Sequence, residues 1–189
     1  VEHALPSKLR KEHAAPLVHD NSSTSRHFAT ASTLKDQGNA KFNKGEYMDA
    51  RKIYSEGINA VSGLQPASQE EFSLVATLYC NRGATNLKEK RYEETISDCD
   101  CALKFNPEHT KAYARKFRSL MSLGRFREAR LLLETGLQHC PGDRSLVEDL
   151  AKSQKAEEHQ REVEWLLANG DYSGALFAAT QLVTLSDCE

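Results

Sequence analysis

The feature that most constrains this chain is a recurrence. Tyr92, Thr95, Cys99, Ala102 and Pro107 return 34 residues later as Phe126, Ala129, Leu133, Gly136 and Pro141. Upstream, Gly38, Tyr47, Ala50 and Tyr54 repeat the spacing of Gly83, Tyr92, Thr95 and Cys99. A fixed period of this length marks an array, because one such unit cannot bury its hydrophobic face until a neighbour stacks on it. Inside the first unit, Ser32 or Thr33 is placed to cap a helix running LKDQGNAKFNKG, and Gly45 stops it. A second amphipathic run, EYMDARKIYSEGINAVSG, follows with almost no loop, which is the pattern of an antiparallel helix hairpin. The expected fold class is therefore all-α, with three such units over residues 32–143. Small residues at Gly38, Gly83, Ala50 and Ala129 would let paired helices approach, and the aromatics Tyr47, Tyr92 and Phe126 would fill the gap beside them.

The array departs from its period in two places, and one unit carries an unusual residue. The first and second units are 45 residues apart, so 11 residues are inserted within positions 61–75. Gly63, Pro66 and Ser68 there predict a loop after a lengthened helix, then an early start to the next helix. Phe117 stands where the pattern has a small residue, which predicts a more open third hairpin. Beyond Pro141-Gly142-Asp143 no breaker occurs before Gly170, so residues 144–189 read as a long capping helix fused to the start of a fourth hairpin. That last hairpin is marked by Tyr172, Ala175, Ala179 and Leu182. Residues 1–31 hold Pro6, Pro16 and the run DNSSTS with no period of 2 or 3.6, and are expected to be a flexible leader. The first residue is Val, which reads as a fragment or a processed form.

Composition narrows the function. A net charge of -2 gives no general attraction for nucleic acid or an anionic membrane, so neither is an expected partner. No apolar run approaches the roughly 20 residues of a membrane span. The five cysteines, Cys80, Cys99, Cys101, Cys140 and Cys188, form an odd set without a CxxC, which reads as reduced thiols in a reducing compartment and hence the cytoplasm. His109, His139 and His159 lack metal-ligand spacing, and no phosphate-cradling loop or nucleophile elbow occurs. The chain is expected to be non-enzymatic, with no metal and no cofactor.

Ligand chemistry points instead to the stretch TKAYARKFRSLMSLG, residues 110–124. Lys111 and Arg115 lie four apart, so on a helix they share a face and can converge on one anion. The repeated marks resemble the tetratricopeptide repeat, over roughly Thr33 to Cys188. That resemblance implies a right-handed superhelix of helix hairpins, an α-solenoid, whose concave groove is lined by each first helix. Within it Lys35, Asn39, Asn81, Lys111 and Arg115 match, position by position, the two-carboxylate clamp of tetratricopeptide cochaperones. The implied ligand is the C-terminal Glu-Glu-Val-Asp of the cytosolic 70-kDa and/or 90-kDa heat-shock chaperones. Lys35, Asn39 and Asn81 would hold the terminal carboxylate, and Lys111 and Arg115 the aspartate side chain and nearby backbone. The long helix before a further hairpin is similar to the tetratricopeptide J-domain cochaperones, although no His-Pro-Asp signature lies in these residues. Two other readings stay open: the anchoring or regulatory repeat domain of a larger enzyme of the phosphatase or peptidyl-prolyl isomerase type, and an adaptor for an unrelated peptide.

Overall fold

Four helix hairpins, each turned by the same backbone device, make up the structure. The computed structural model describes residues 21–186. The helices are α1 (Asn21–Asn43), α2 (Tyr47–Ala60), α3 (Gln69–Lys88), α4 (Tyr92–Phe105), α5 (Thr110–Ser122), α6 (Phe126–His139), α7 (Arg144–Ala168) and α8 (Tyr172–Ser186). No strand occurs among the described residues. Each first helix ends in a Schellman turn, in which an N–H beyond the helix reaches a carbonyl in its last turn. The bonds are Glu46 N–H to Lys41 O (3.1 Å), Arg91 N–H to Asn86 O (2.8 Å), Arg125 N–H to Leu120 O (2.9 Å) and Asp171 N–H to Leu166 O (2.9 Å). The turn needs one residue at positive φ, which Gly45, Gly124 and Gly170 supply without a steric penalty. Lys90 takes the same place in the second hairpin at φ 58°.

Three sequence expectations are corrected by these helices. First, α1 begins at Asn21 and runs through the Ser32 or Thr33 start, so residues 21–31 are not leader; residues 1–20 lie outside the described residues. Burial decides this, for Phe28 and Ala31 are 5% and 0% exposed against α2 and α3 residues such as Tyr54 and Leu78. Thr33 does not cap, because its hydroxyl donates back to the Ala29 carbonyl (3.1 Å) within a continuing helix. Second, α2 is not lengthened: it has 14 residues, as do α4 and α6. The inserted residues instead form the loop at 61–68 and the early start of the 20-residue α3, where Ser68 Oγ accepts from Glu71 N–H (3.2 Å). Third, the gap beside Gly38 is filled by Tyr54 rather than Tyr47; a Cβ on Gly38 would meet the Tyr54 ring at 2.5 Å. Tyr47 packs edge-on against Phe42 instead.

Stacking follows from these hairpins. Consecutive helices pack together, and contacts between α1 and α3, α3 and α5, and α5 and α7 set the first helices side by side. The core runs between the layers as contiguous clusters. Phe28, Tyr54, Val75 and Leu78 join α1, α2 and α3, while Cys80, Cys99 and Ala112 join α3, α4 and α5. Phe117 is buried in the next cluster with Ile96, Tyr113, Leu133 and Leu146. Asp143 starts α7 by accepting from Leu146 N–H (3.1 Å). The result is an all-α solenoid that presents one wall built from α1, α3, α5 and α7.

Candidate functional site

On this wall the five residues singled out from the sequence fall on three adjacent helices: Lys35 and Asn39 on α1, Asn81 on α3, Lys111 and Arg115 on α5. Hydrogen bonds bring three of them together. Asn81 Nδ2 donates to Asn39 Oδ1 (2.9 Å), and Arg115 Nη1 lies 3.5 Å from Asn81 Oδ1. Arg115 Nη1 is further fixed by the Cys80 carbonyl (2.5 Å) and the Cys80 thiol (2.7 Å). Lys35 and Lys111 are not hydrogen-bonded into this chain. Lys35 sits one turn before Asn39 with Asp36 at 3.3 Å, and Lys111 is exposed one turn before Arg115.

The orientation of Asn39 comes from a residue that sequence reasoning listed only as a repeat mark. Tyr54 on α2 donates its hydroxyl to Asn39 Oδ1 (2.8 Å), which occupies the amide oxygen from two sides and leaves the NH2 group for an outside acceptor. Burial pushes the Tyr54 phenol up to about 12, so at neutral pH it keeps the proton it donates. The signal was available in part: Tyr54 is the one polar side chain at a frame position held by Cys99 and Leu133 in the next units.

Charge completes the site. Cys80 is fully buried, and burial raises its thiol above the ordinary value although Arg115 and Lys111 pull the other way. A neutral thiol therefore faces the guanidinium, and the positive charge of Arg115 is not cancelled beneath it. His109, the residue before α5, is held below the ordinary imidazole value by burial first and by Arg115 and Lys111 after that. Behind the wall, and unforeseen from sequence, Arg82 grips Asp98 through Nε (3.1 Å) and Nη2 (2.6 Å), with Asn86 Nδ2 donating to the same carboxylate (2.9 Å). This network ties α3 to α4 and fixes the helix that carries Asn81. Among the described residues, no group of His, Cys, Asp and Glu could hold a metal ion, and no helix is long and apolar enough to cross a membrane.

No family model matches the chain. The Protein STIP1 homolog of Dictyostelium discoideum is 31% identical over 155 residues, which cover 82% of this chain and 24% of that protein. DnaJ homolog subfamily C member 7 of Mus musculus is 36% identical over 95 residues, 50% of this chain and 18% of that protein. The chain thus spans about a quarter or less of the length of these relatives. Among solved structures, the second TPR domain of human RPAP3, in complex with the HSP70 peptide SGPTIEEVD, is 31% identical with a TM-score of 0.56, covering 69% of this chain and 98% of that domain. With that likeness over almost the whole of a TPR domain, and with its helix hairpins stacked in the same way, this chain belongs to the tetratricopeptide-repeat family.

Proposed function

We propose that this chain is a non-catalytic cochaperone module of the cytoplasm that grips the C-terminal Glu-Glu-Val-Asp tail of a 70-kDa or 90-kDa heat-shock chaperone. The observation that carries the reading is the bonded series Tyr54, Asn39, Asn81 and Arg115, flanked by Lys35 and Lys111. It presents donors from three helices and turns its acceptors inward. A C-terminal aspartate brings two carboxylates close together, and such a ligand needs donors already fixed in place. The amide protons left on Asn39 and Asn81, with the Lys35 ammonium, suit the terminal carboxylate. Arg115 has only Nη1 occupied among the described residues, so Nε and Nη2 remain for the aspartate side chain or the adjoining backbone, with Lys111 beside them. The RPAP3 domain, whose solved complex holds a peptide ending in Glu-Glu-Val-Asp, supports the same assignment.

Calorimetric titration of a peptide ending in Ile-Glu-Glu-Val-Asp tests it. Lys111→Ala, Arg115→Ala and Asn81→Ala should each lose about 1 to 3 kcal/mol of binding, the range of hydrogen bonds to charged groups, with the helical circular dichroism retained. Amidating the peptide C-terminus should weaken binding comparably, and added salt should weaken it in part. Unchanged affinity in all three variants would rule the clamp out.

A further inference from the structure

Helix α5, TKAYARKFRSLMS, carries four cations and no acid in a chain whose net charge is -2. At about 100° per residue its faces can be sorted. Ala112, Tyr113, Phe117, Leu120 and Met121 are buried against neighbouring helices. Lys116 turns aside to Asp100 of α4 at 2.5 Å. Lys111, Arg115 and Arg118, spaced i, i+4 and i+7, are left together on the strip of α5 that is not buried. Counting back by the repeat intervals, Arg118 holds in the third unit the place that Asn39 holds in the first.

Arg118 is exposed, and it makes no hydrogen bond or ion pair among the described residues. Several other arginines of the solenoid are matched to carboxylates, as in Arg51 with Glu89, Arg82 with Asp98, Arg91 with Glu94 and Arg130 with Glu157, though among the described residues Arg26 and Arg127 are not. One repeat further along the wall, the equivalent Lys152 lies 3.0 Å from Asp149, so the strip of unmatched charge does not continue unchanged onto α7. Arg118 lies about 4.5 Å along the helix axis from Arg115, at about 1.5 Å rise per residue. An extended peptide advances about 3.3 Å per residue, so a side chain one or two residues farther up a clamped tail comes within its reach.

Resting on the clamp reading above, we infer that Arg118 is a specificity-determining residue of the groove, pairing with a glutamate of an acidic tail just upstream of its terminal Val-Asp. The planar guanidinium suits a carboxylate in two-pronged geometry, and with no internal partner it has no ion pair to break first. It would distinguish acidic tails from other peptides that end in aspartate.

The test is a coupling measurement on the whole chain. Native protein and Arg118→Gln are titrated with a peptide ending in Ile-Glu-Glu-Val-Asp and with two forms carrying Gln at one glutamate or the other. Arg118→Gln should bind the unsubstituted peptide about three- to fivefold more weakly, the scale of a partly screened ion pair. Against one of the two Gln peptides the difference should vanish. Equal weakening against all three peptides, or no weakening, would overturn the inference. Lys111→Ala is run alongside. If it loses affinity while Arg118→Gln does not, only the role of Arg118 fails; if Lys111→Ala also binds like the native chain, the clamp fails and this inference with it. Arg118 makes no internal contact to lose, so the melting temperature should be unchanged and a folding defect cannot imitate the result.

Discussion

At the scale of single residues, the groove depends on which hydrogen-bonding capacity is already used inside the protein. Asn39 and Asn81 spend part of theirs on each other and on Tyr54, and what remains is almost entirely donor capacity. That the five candidate residues fall on the first helices α1, α3 and α5 was legible in the sequence, because each sits at a fixed offset within its unit and a helix turns a fixed offset into a fixed direction. Tyr54 was not legible as an orienting group, since its partner lies on another helix and the match depends on how closely α1 and α2 approach. His109 gives a prediction at this scale. Burial and the nearby Arg115 and Lys111 hold its pKa below the ordinary 6.5, so the folded chain resists protonation that the unfolded chain accepts. The sign follows from linkage: its contribution is whole above about pH 6.5 and is lost as pH falls through 6.5 towards the lower folded value. Melting curves from pH 7.5 to 5 should therefore fall more steeply for the native protein than for His109→Gln, the carboxylates being common to both. Parallel curves would show that the ring is not held neutral by the fold.

The hairpins show what an element-scale reading of sequence can and cannot reach. Gly45, Gly124 and Gly170 announced their turns, because positive φ is open to glycine and costly for other residues. The second turn has Lys90 at φ 58°, and here Gly83 before the turn and Tyr92, Thr95 and Ala102 after it, rather than a glycine in the turn itself, revealed the hairpin. Its Schellman bond from Arg91 N–H to Asn86 O, at 2.8 Å, is as short as those of the glycine turns, so stacking imposes the geometry on an unfavourable residue. Lys90→Gly should then stabilise the chain by about 1 kcal/mol, the lower end of the left-handed penalty, read as a higher urea midpoint with an unchanged slope. A lower midpoint would mean that glycine's greater freedom in the unfolded chain outweighs the relief. The length of α2 was misjudged for a related reason. The inserted residues contain Gly63 and Pro66, which end a helix, yet these breakers alone do not say whether the residues ahead of them first extend α2. Ser68 and Glu71 settle this, since Ser68 caps α3 and Glu71 Oε2 accepts from Ala67 N–H at 2.7 Å.

Across the whole molecule, stability is set between neighbours, as in any stack where each unit touches only the next. Phe28 and Ala31 illustrate why the start of the solenoid escaped the sequence. The run NSSTS reads as loop, and Phe28 stands in no apolar period of its own, so only the surface offered by α2 and α3 makes residues 21–31 helical. Tertiary burial overrides local preference there. This links the edge of the array to the groove, because Lys35 and Asn39 are carried by the same helix that Phe28 anchors. Phe28→Ala should lose about 3 to 5 kcal/mol of stability, as for a buried aromatic truncated to a methyl group. A chain that starts at Ser32 loses Phe28 and Ala31 together and should fare at least as badly. Both variants should bind the acidic tail more weakly on warming, before the groove residues on α3 and α5 lose their helical signal, since α1 would fray first and take Lys35 and Asn39 with it. Thermal melting followed by circular dichroism, paired with titrations at low and raised temperature, measures both effects. If both variants melted and bound like the native chain, the first turns of α1 would be shown to contribute nothing to the groove.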